Sequence, residues 1–332
     1  MKVLVTGSTG FIGSHLCRTL VDLGHHVRAF HRPNSPITLI EDLPVEHAVG
    51  DITQPDTLSK AMVGIEVVFH AAARLGKSTP RQTYDVTVAG TGKVLSACLD
   101  AGVNRVVHSS SVAAFGIPHT NGIHPSKGLA TLMNENHSWN TDPELWRYGH
   151  AKYLAEIEVQ KAVAQGLDVV IVNPALVIGA GDINRISGDV ILRVAQGHLK
   201  FTTHGGLNAI HIADTVQGHI SALERGNTGE RYILGSENMT HSQFLELVAE
   251  VVGVTPPRIM LPGRLLRSLS GPMKALGKVV RLPFSAEAMH KIGFYFYCDG
   301  SKAENVLGLT NRRPVRQAIS ESYNWYQEKG VY

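Results

Sequence analysis

The chain has 332 residues, of which 43% are hydrophobic and 18% are charged. These values are typical of a globular protein with a sizeable core, and they exclude an intrinsically disordered chain. The net charge of +3, with no dense Lys/Arg block, gives no indication of nucleic-acid binding. The histidines and cysteines show no HExxH or CxxC spacing, so we expect no metal site.

Apolar runs in the sequence are short. None approaches the length of about 18 residues that a transmembrane helix requires. Cys17 and Cys98 lie in apolar helical patterns, which are typical of reduced, buried thiols. We therefore expect a cytoplasmic protein. The stretch 264–281 is basic and apolar at helical spacing, and we expect it to form a helix of a lobe or lid rather than a membrane-surface helix.

Short β-branched runs alternate with longer helical patterns in the first half of the chain. The predicted strands lie at 3–5, 26–30, 45–49, 66–70, 105–108 and 168–172. The predicted helices lie at 11–23, 55–62, 80–101 and 143–165. This alternation indicates an α/β fold of the Rossmann type, a doubly wound parallel sheet with helices on both faces.

The alternation of predicted strands and helices ends after Asn173-Pro174, where glycine and proline become frequent and strands become sparse. We therefore predict a dinucleotide-binding domain at 1–172 and a smaller C-terminal substrate-binding lobe at 173–332. The segment at about 208–228 is expected to return to the first domain.

A glycine-rich turn follows the first strand and opens the first helix. Gly7, Gly10 and Gly13 allow a tight turn, close approach of a pyrophosphate, and close packing of helix on strand. The helix N-terminus then faces the negative charge of the phosphates. The predicted cofactor ligands in this turn are Gly7, Thr9, Gly10, Phe11, Ile12 and Gly13.

The end of the second strand predicts which nicotinamide cofactor binds. An acidic residue there would hold the ribose hydroxyls of NAD, whereas arginine accommodates a 2′-phosphate. The sequence has no acid at this point and has Arg32, so NADP(H) is favoured over NAD(H). Asp51 and Ile52 follow the third strand, where a carboxylate could accept the adenine amino group.

Tyr148 and Lys152 are four residues apart in a helical pattern, so both side chains share one face. A nearby ammonium favours the phenolate, so we expect Lys152 to lower the pKa of Tyr148 towards the working range. Ser111 follows the fifth strand at the carboxyl edge of the sheet, where a hydroxyl can bind a substrate oxygen. Together these residues predict proton and hydride chemistry at a carbinol or carbonyl carbon.

The glycine turn, Ser111 and the Tyr148/Lys152 pair occur in this order along the chain. Their order and spacing resemble those of the extended short-chain dehydrogenase/reductases, the NAD(P)-dependent epimerase/dehydratases. The closest subgroups are the dihydroflavonol-reductase-like and hopanoid-associated sugar-epimerase-like proteins. The resemblance implies that Tyr148 is the general acid/base, that Lys152 is its pKa partner and a ribose ligand, and that Ser111 polarises the carbonyl. It also implies further residues along the cofactor, namely Ala71, Ala72, Ala73, Ser109 and Pro174.

Four residues are predicted to bind substrate: Arg74, Ser111, Phe115 and Asn173. Arg74 could meet an anionic group or cover the rim of the pocket. Asn173 resembles an epimerase's diphosphate-contacting asparagine, or it simply ends a strand. The loop at about 117–140 is long for a connection, and we expect it to form a pocket lid.

Three functions are considered at this point, and the NADP(H)-dependent reductase is favoured. An NADP(H)-dependent reductase of a small aldehyde or ketone agrees with Arg32 and with the lack of an arginine near Leu207-Asn208-Ala209, where sugar-nucleotide enzymes bind diphosphate. A sugar or sugar-nucleotide epimerase/dehydratase agrees with the overall resemblance. A non-catalytic dinucleotide sensor would be expected to lack Tyr148 and Lys152. The helices predicted at 80–101 and 143–165 are candidates for a homodimer contact.

Overall fold

The computed structural model describes residues 1–74, 76, 78–119, 132–261 and 291–330. The lobe or lid helix predicted at 264–281 lies outside the described residues, as does the middle of the predicted lid loop. Within the described ranges, no helix combines the length and hydrophobicity needed to span a bilayer.

Twelve strands occur in the described part of the chain. They are β1 (Lys2–Thr6), β2 (His26–His31), β3 (Glu46–Val49), β4 (Val67–His70), β5 (Arg105–Ser109), β6 (Val169–Pro174), β7 (Leu176–Ile178), β8 (Phe201–Thr203), β9 (Gly206–His211), β10 (Arg231–Leu234), β11 (Glu237–Thr240) and β12 (Ile259–Leu261).

Ten α-helices connect and follow these strands in the described part. They are α1 (Phe11–Asp22), α2 (Pro55–Met62), α3 (Pro80–Tyr84), α4 (Gly90–Ala101), α5 (Arg147–Ala164), α6 (Gly188–Ala195), α7 (Ile212–Arg225), α8 (His241–Val252), α9 (Ser301–Leu307) and α10 (Val315–Glu328). The helix predicted at 80–101 is divided, because a π-helical turn at Asp85–Ala89 separates α3 from α4.

Seven strands form a parallel central sheet in the order β10-β6-β5-β4-β1-β2-β3. Successive residues of each strand face opposite sides, so Val68 and Phe69 contribute to different core clusters. One cluster packs α1 and α7 on the sheet, and the other packs α2, α4 and α5. Burial on both faces explains the unbroken apolar runs of the strands and confirms the predicted doubly wound fold.

The remaining strands form two smaller sheets, β11-β9-β7 and β12-β8. In the segment predicted to return to the first domain, α7 packs against β5 and β6. Its strand β9 instead pairs with β7 and β11, and β10 is the strand that extends the central sheet. The boundary at residue 172 stays a prediction.

Candidate active site

The glycine turn joins β1 to α1 at the carboxyl edge of the central sheet. Gly7 has a φ of +70°, and a Cβ at this position would lie 2.8 Å from the Cα of Ala72. A Cβ on Gly13 would overlap the carbonyl oxygen of Gly7. Any side chain at either position would push the turn away from its neighbours, so both contacts require glycine.

The start of α1 is open to an anionic ligand. Its N-cap is Gly10, which supplies no side-chain cap, and its first turn carries no acidic residue. Backbone N–H groups at such a helix start are suited to bind phosphate. Thr9, Phe11 and Ile12 keep part of their surface exposed, while Gly13 is buried. The residues present therefore fit the diphosphate of a dinucleotide.

The adenosine end of the predicted site lies beyond β2. The strand ends at His31, and Arg32 follows it as an exposed cation. Asp51 is half-buried, and its Oδ1 accepts hydrogen bonds from the amide and hydroxyl of Thr53, both at 2.8 Å. Ile52 is buried against Gly90 at the start of α4. A positive charge thus stands where Rossmann folds distinguish a ribose hydroxyl from a 2′-phosphate.

Residues 71–73 follow β4 and lie beside the glycine turn. The amide of Ala71 donates to the carbonyl of Thr6 at 3.2 Å, and the amide of Ala72 to the Thr6 hydroxyl at 3.4 Å. His70 is hydrogen-bonded to the same hydroxyl at 2.7 Å. These contacts hold the ends of β1 and β4 together beside the turn.

The structure brings the three predicted catalytic residues together. The side chain of Ser111 acts on the phenol of Tyr148 and lowers its pKa, against the effect of burial. Lys152 lies one turn further along α5, and its Nζ donates to the carbonyl of Ser109 at 2.7 Å. The amide of Ala113 donates to the Ser111 hydroxyl oxygen at 3.2 Å. That bond orients the serine and leaves its O–H proton free to donate.

Burial dominates the electrostatics of this group. Although Tyr148 keeps part of its surface exposed, burial raises the pKa of its phenol to about 12, and the influence of Ser111 offsets this only in part. The prediction that Lys152 lowers this pKa is wrong for the structure, because desolvation is the larger effect. Burial also lowers the pKa of Lys152 to about 8, against the opposing charge of Glu156. At neutral pH, Tyr148 is a phenol and most of Lys152 is charged.

Most of the chain matches a known protein family. Residues 3–235, more than half of the sequence, match the NAD dependent epimerase/dehydratase family. The chain belongs to this family. It is therefore an NAD(P)-dependent oxidoreductase or epimerase of the extended short-chain dehydrogenase/reductase type.

Relatives of this chain carry different names. A protein of Synechocystis sp. named dihydroflavonol 4-reductase is 33% identical, over 98% of this chain and 94% of its own. Sterol demethylase protein B of Methylococcus capsulatus is 31% identical over 100% of both chains. The crystal structure of a nucleoside-diphosphate-sugar epimerase from Pseudomonas aeruginosa is 25% identical, with a TM-score of 0.81 over 100% of this chain and 99% of that one.

Helix α5, which carries Tyr148 and Lys152, has a third buried group, the carboxylate of Glu156. Its Oε1 accepts from the Ser110 hydroxyl at 2.5 Å and from the Asn173 amide at 2.7 Å. Its Oε2 pairs with Arg231 of β10 at 3.4 Å. Burial raises the pKa of Glu156, while these donors lower it. The carboxylate therefore ties α5 to strands β5, β6 and β10.

Arg231 extends this network to the predicted lid loop. Its guanidinium donates to the carbonyls of Glu135 and His137 and lies 4.7 Å from the centre of the Phe115 ring. The Glu135 carboxylate in turn accepts from the amide of Ile233 at 2.8 Å. One cation thus connects the catalytic helix with the described end of the loop.

Three of the predicted ligands are largely enclosed in this structure. Phe115 is fully buried, and Arg231 covers one face of its ring. Asn173 is also buried and donates its amide to Glu156 and to the carbonyl of Ser111, which leaves its Oδ1 without a partner among the described residues. Pro174 ends β6 as a buried residue. Their contacts with substrate or cofactor stay predictions.

Two buried histidines lie beside Lys152. His70 and His108 face each other on β4 and β5, with ring centres 5.3 Å apart. Burial lowers the pKa of His70 to about 3 and that of His108 well below its usual value. Both rings are therefore neutral at working pH. Glu156 is therefore the charged group that offsets the effect of burial on the pKa of Lys152, and the two rings add no negative charge to it.

The site residues predicted from the sequence did not include Glu156, Arg231 or His108. A signal existed for Glu156, because it follows Lys152 by four residues and so shares the face of the catalytic helix. No local pattern points to Arg231, which comes from a strand 75 residues further along the chain. His108 lies in an apolar strand and makes no described hydrogen bond, so its burial could only be seen in the fold.

Proposed function

We propose that the chain is an NADP(H)-dependent reductase of a small aldehyde or ketone, with Tyr148 as the proton donor. The observation that carries this proposal is the grouping of Ser111, Tyr148 and Lys152, in which Lys152 Nζ donates to the carbonyl of Ser109 at 2.7 Å and burial raises the pKa of Tyr148 to about 12. A group with a pKa of about 12 is suited to donate a proton that a forming alkoxide requires, and it is a weak base at neutral pH.

Each of the three residues has a role in this reaction. The Ser111 O–H donates to the substrate carbonyl oxygen and polarises the carbon. The bound nicotinamide supplies the hydride. As negative charge develops on the oxygen, Tyr148 transfers its proton there, and the alcohol product is complete. The Lys152 ammonium stabilises the phenolate until solvent returns the proton.

Arg32 supports NADP(H) as the cofactor. It stands as the exposed cation directly after β2, and no carboxylate occurs in that strand to hold the ribose hydroxyls. A guanidinium can pair with the 2′-phosphate through two hydrogen bonds. The glycine turn and the start of α1 would hold the diphosphate.

An epimerase acting on a sugar nucleotide is the second candidate. The likeness to the Pseudomonas aeruginosa epimerase favours it, because that likeness spans the whole chain. Against it, the stretch Leu207-Asn208-Ala209 offers no cation for a diphosphate. The side chain of Asn208 is already bonded to Asn238 at 2.8 Å and to the amide of Ser236 at 3.0 Å.

We also propose that α4 and α5 form a homodimer contact. A groove of about 580 Å³ runs along these helices and is lined by Val88, Ser96, Leu154 and Glu158 among others. Light scattering of the wild type and of Ser96→Arg tests this contact. A monomer in both would overturn it.

The cytoplasmic location stays a prediction, and all three cysteines are buried, free thiols.

The proposed function is tested by titrating the purified protein with NADPH and NADH and following nicotinamide fluorescence. We expect tighter binding of NADPH and loss of that preference in Arg32→Asp. Aldehydes and ketones are then screened for NADPH oxidation, with Tyr148→Phe as the inactive control. Tighter NADH binding, or a cofactor that co-purifies and does not exchange, would favour the epimerase instead.

A further inference from the structure

The guanidinium of Arg74 has no partner in the part of the chain that the structure describes. Its Nε is shielded from solvent and makes no hydrogen bond, and the side chain forms no described ion pair. A guanidinium carries five N–H donors, and an unpaired donor away from water costs free energy. Arg231, by contrast, has a carboxylate and two carbonyl oxygens as partners.

The backbone at Arg74 is fixed in place. Its amide donates to the hydroxyl of Thr87 at 3.2 Å, and Thr87 is buried in the π-helical turn before α4. The carbonyl of Thr87 accepts a hydrogen bond from Thr91 at 2.7 Å. The hydrogen bond to Thr87 therefore fixes the backbone of Arg74 between the end of β4 and the helical segment that follows.

Arg74 lies at the same edge of the sheet as the catalytic serine. His70 of β4 and His108 of β5 are paired in register. Arg74 comes four residues after the first and Ser111 three residues after the second. Because parallel strands end at one edge, both residues leave neighbouring strands towards the predicted substrate site.

No described acidic residue neutralises this cation. The carboxylate of Asp85, at the start of the same π-helical turn, is paired with Arg81 at 3.4 Å. An uncompensated charge that is partly removed from water is costly to keep, and an anion that arrives with a ligand removes this cost. The planar guanidinium matches a carboxylate through two parallel hydrogen bonds.

We propose that Arg74 is the receptor for a carboxylate on the substrate, so that the enzyme acts on an oxo acid or the corresponding hydroxy acid. This proposal rests on the proposed reductase function and narrows its substrate class. A single arginine suits one carboxylate, whereas a diphosphate would need further cations that Leu207-Asn208-Ala209 does not supply.

Equilibrium binding to the NADP⁺-loaded protein tests the proposal without turnover. Hexanoate and hexanamide, which match in length and shape but differ in charge, are titrated by calorimetry into the wild type, Arg74→Gln and Arg74→Lys. We expect the wild type to bind hexanoate at least ten-fold more tightly than hexanamide. Arg74→Gln should lose this difference, and Arg74→Lys should keep part of it. Arg81→Gln removes a nearby exposed charge and should behave as the wild type.

Several results would overturn the carboxylate site. These are the absence of saturable hexanoate binding to the wild type, equal binding of both probes, or a preference that survives in Arg74→Gln. Thermal unfolding separates a binding role from a structural one, because removal of an unpaired charge should not lower the Tm. A drop of several degrees in Arg74→Gln would show that the arginine stabilises the fold instead. Hexanoate binding should persist in Tyr148→Phe, so a failed reductase assignment would appear separately as missing turnover.

Discussion

The carboxylate of Glu156 accepts a hydrogen bond from the hydroxyl of Ser110 at 2.5 Å, one helical turn beyond Lys152. This bond joins the catalytic helix to the strand end that carries Ser111. The negative charge of Glu156 also raises the pKa of Lys152 against the effect of burial. We therefore expect Glu156 to be a positioning residue that acts on the placement of Ser111 and on the charge of Lys152.

Glu156→Gln should shift the alkaline limb of the pH profile to lower pH. The substitution removes the negative charge that helps Lys152 keep its proton, so the lysine loses that proton earlier. The pH dependence of kcat for NADPH oxidation measures the shift. Glu158→Gln, on the same helix and paired with Lys161, is the matched control and should leave the limb in place. An unchanged limb in both variants would assign Glu156 a purely structural role.

Glu156→Ala should also destabilise the fold, by about 3 kcal/mol, because Arg231 then lacks its carboxylate partner inside the protein. Urea unfolding of the cofactor-free protein measures this loss. The double variant Glu156→Ala/Arg231→Met should recover part of it, since neither charge remains. A double variant less stable than the single one would contradict this account.

Carbonyl reduction should decline as the pH rises above about 8. Lys152 is charged below its pKa and neutral above it, and the neutral amine cannot stabilise the phenolate. Tyr148 has a pKa of about 12, so it stays protonated between pH 6 and 10 and causes no second change in the rate. Initial rates of NADPH oxidation between pH 6 and 10 measure the profile. A rate that increases steadily to pH 10 would show that the charged lysine is not required.

Tyr148→Phe should lower kcat by about 10²–10⁴-fold, since the proton donor is lost. Ser111→Ala should lower it by about 10²–10³-fold, since the donor to the carbonyl oxygen is lost. Neither change removes a residue of the glycine turn, so the Kd for NADPH, measured by fluorescence, should change little. Ser242→Ala, at a distant helix start, serves as the control. Full activity in Tyr148→Phe would remove the tyrosine from the mechanism.

The buried histidines should make the protein less stable in acid. His70 and His219 have pKa values lowered by burial to about 3 and about 4. The unfolded chain binds protons near pH 6.5 and the folded chain only at lower pH. The free energy of unfolding is therefore fully present above about pH 6.5 and falls as the pH decreases towards 4. Urea midpoints at several pH values measure the slope.

His108→Leu offers a sharper test of the same effect. The ring of His108 has no described hydrogen bond to lose, so the variant should fold. It should also lose less stability in acid than the wild type, because one buried ring no longer resists protonation. The exposed His198→Leu is the control. An unchanged acid slope in His108→Leu would place the pH sensitivity elsewhere.

Local patterns in the sequence predicted much of this site. The glycine spacing, the Tyr148–Lys152 interval and Arg32 each lie within one short segment, and strand–helix alternation placed those segments at one edge of the sheet. The contacts of Glu156 could not be predicted in this way, because its three partners, Ser110, Asn173 and Arg231, come from the ends of β5 and β6 and from β10. The pKa of Tyr148 also depends on burial by residues distant in sequence, which a local pattern does not report.

The strand order of the second half was equally difficult to predict. The apolar run at 209–212 reads like a strand of the central sheet, yet β9 pairs with β7 and β11. The short strand β10 takes the edge position beside β6 instead. The apolar runs of β9 and β10 have similar patterns, so only long-range packing decides which of them joins the central sheet.

The ion pair between Glu156 and Arg231 has a consequence for synthesis on the ribosome. The catalytic helix ends at residue 164, but the cation for its buried carboxylate arrives with residue 231. A nascent chain that stops between these points carries every catalytic side chain and still lacks the partner of Glu156. We therefore expect a working site to assemble only after the last strand of the central sheet has emerged.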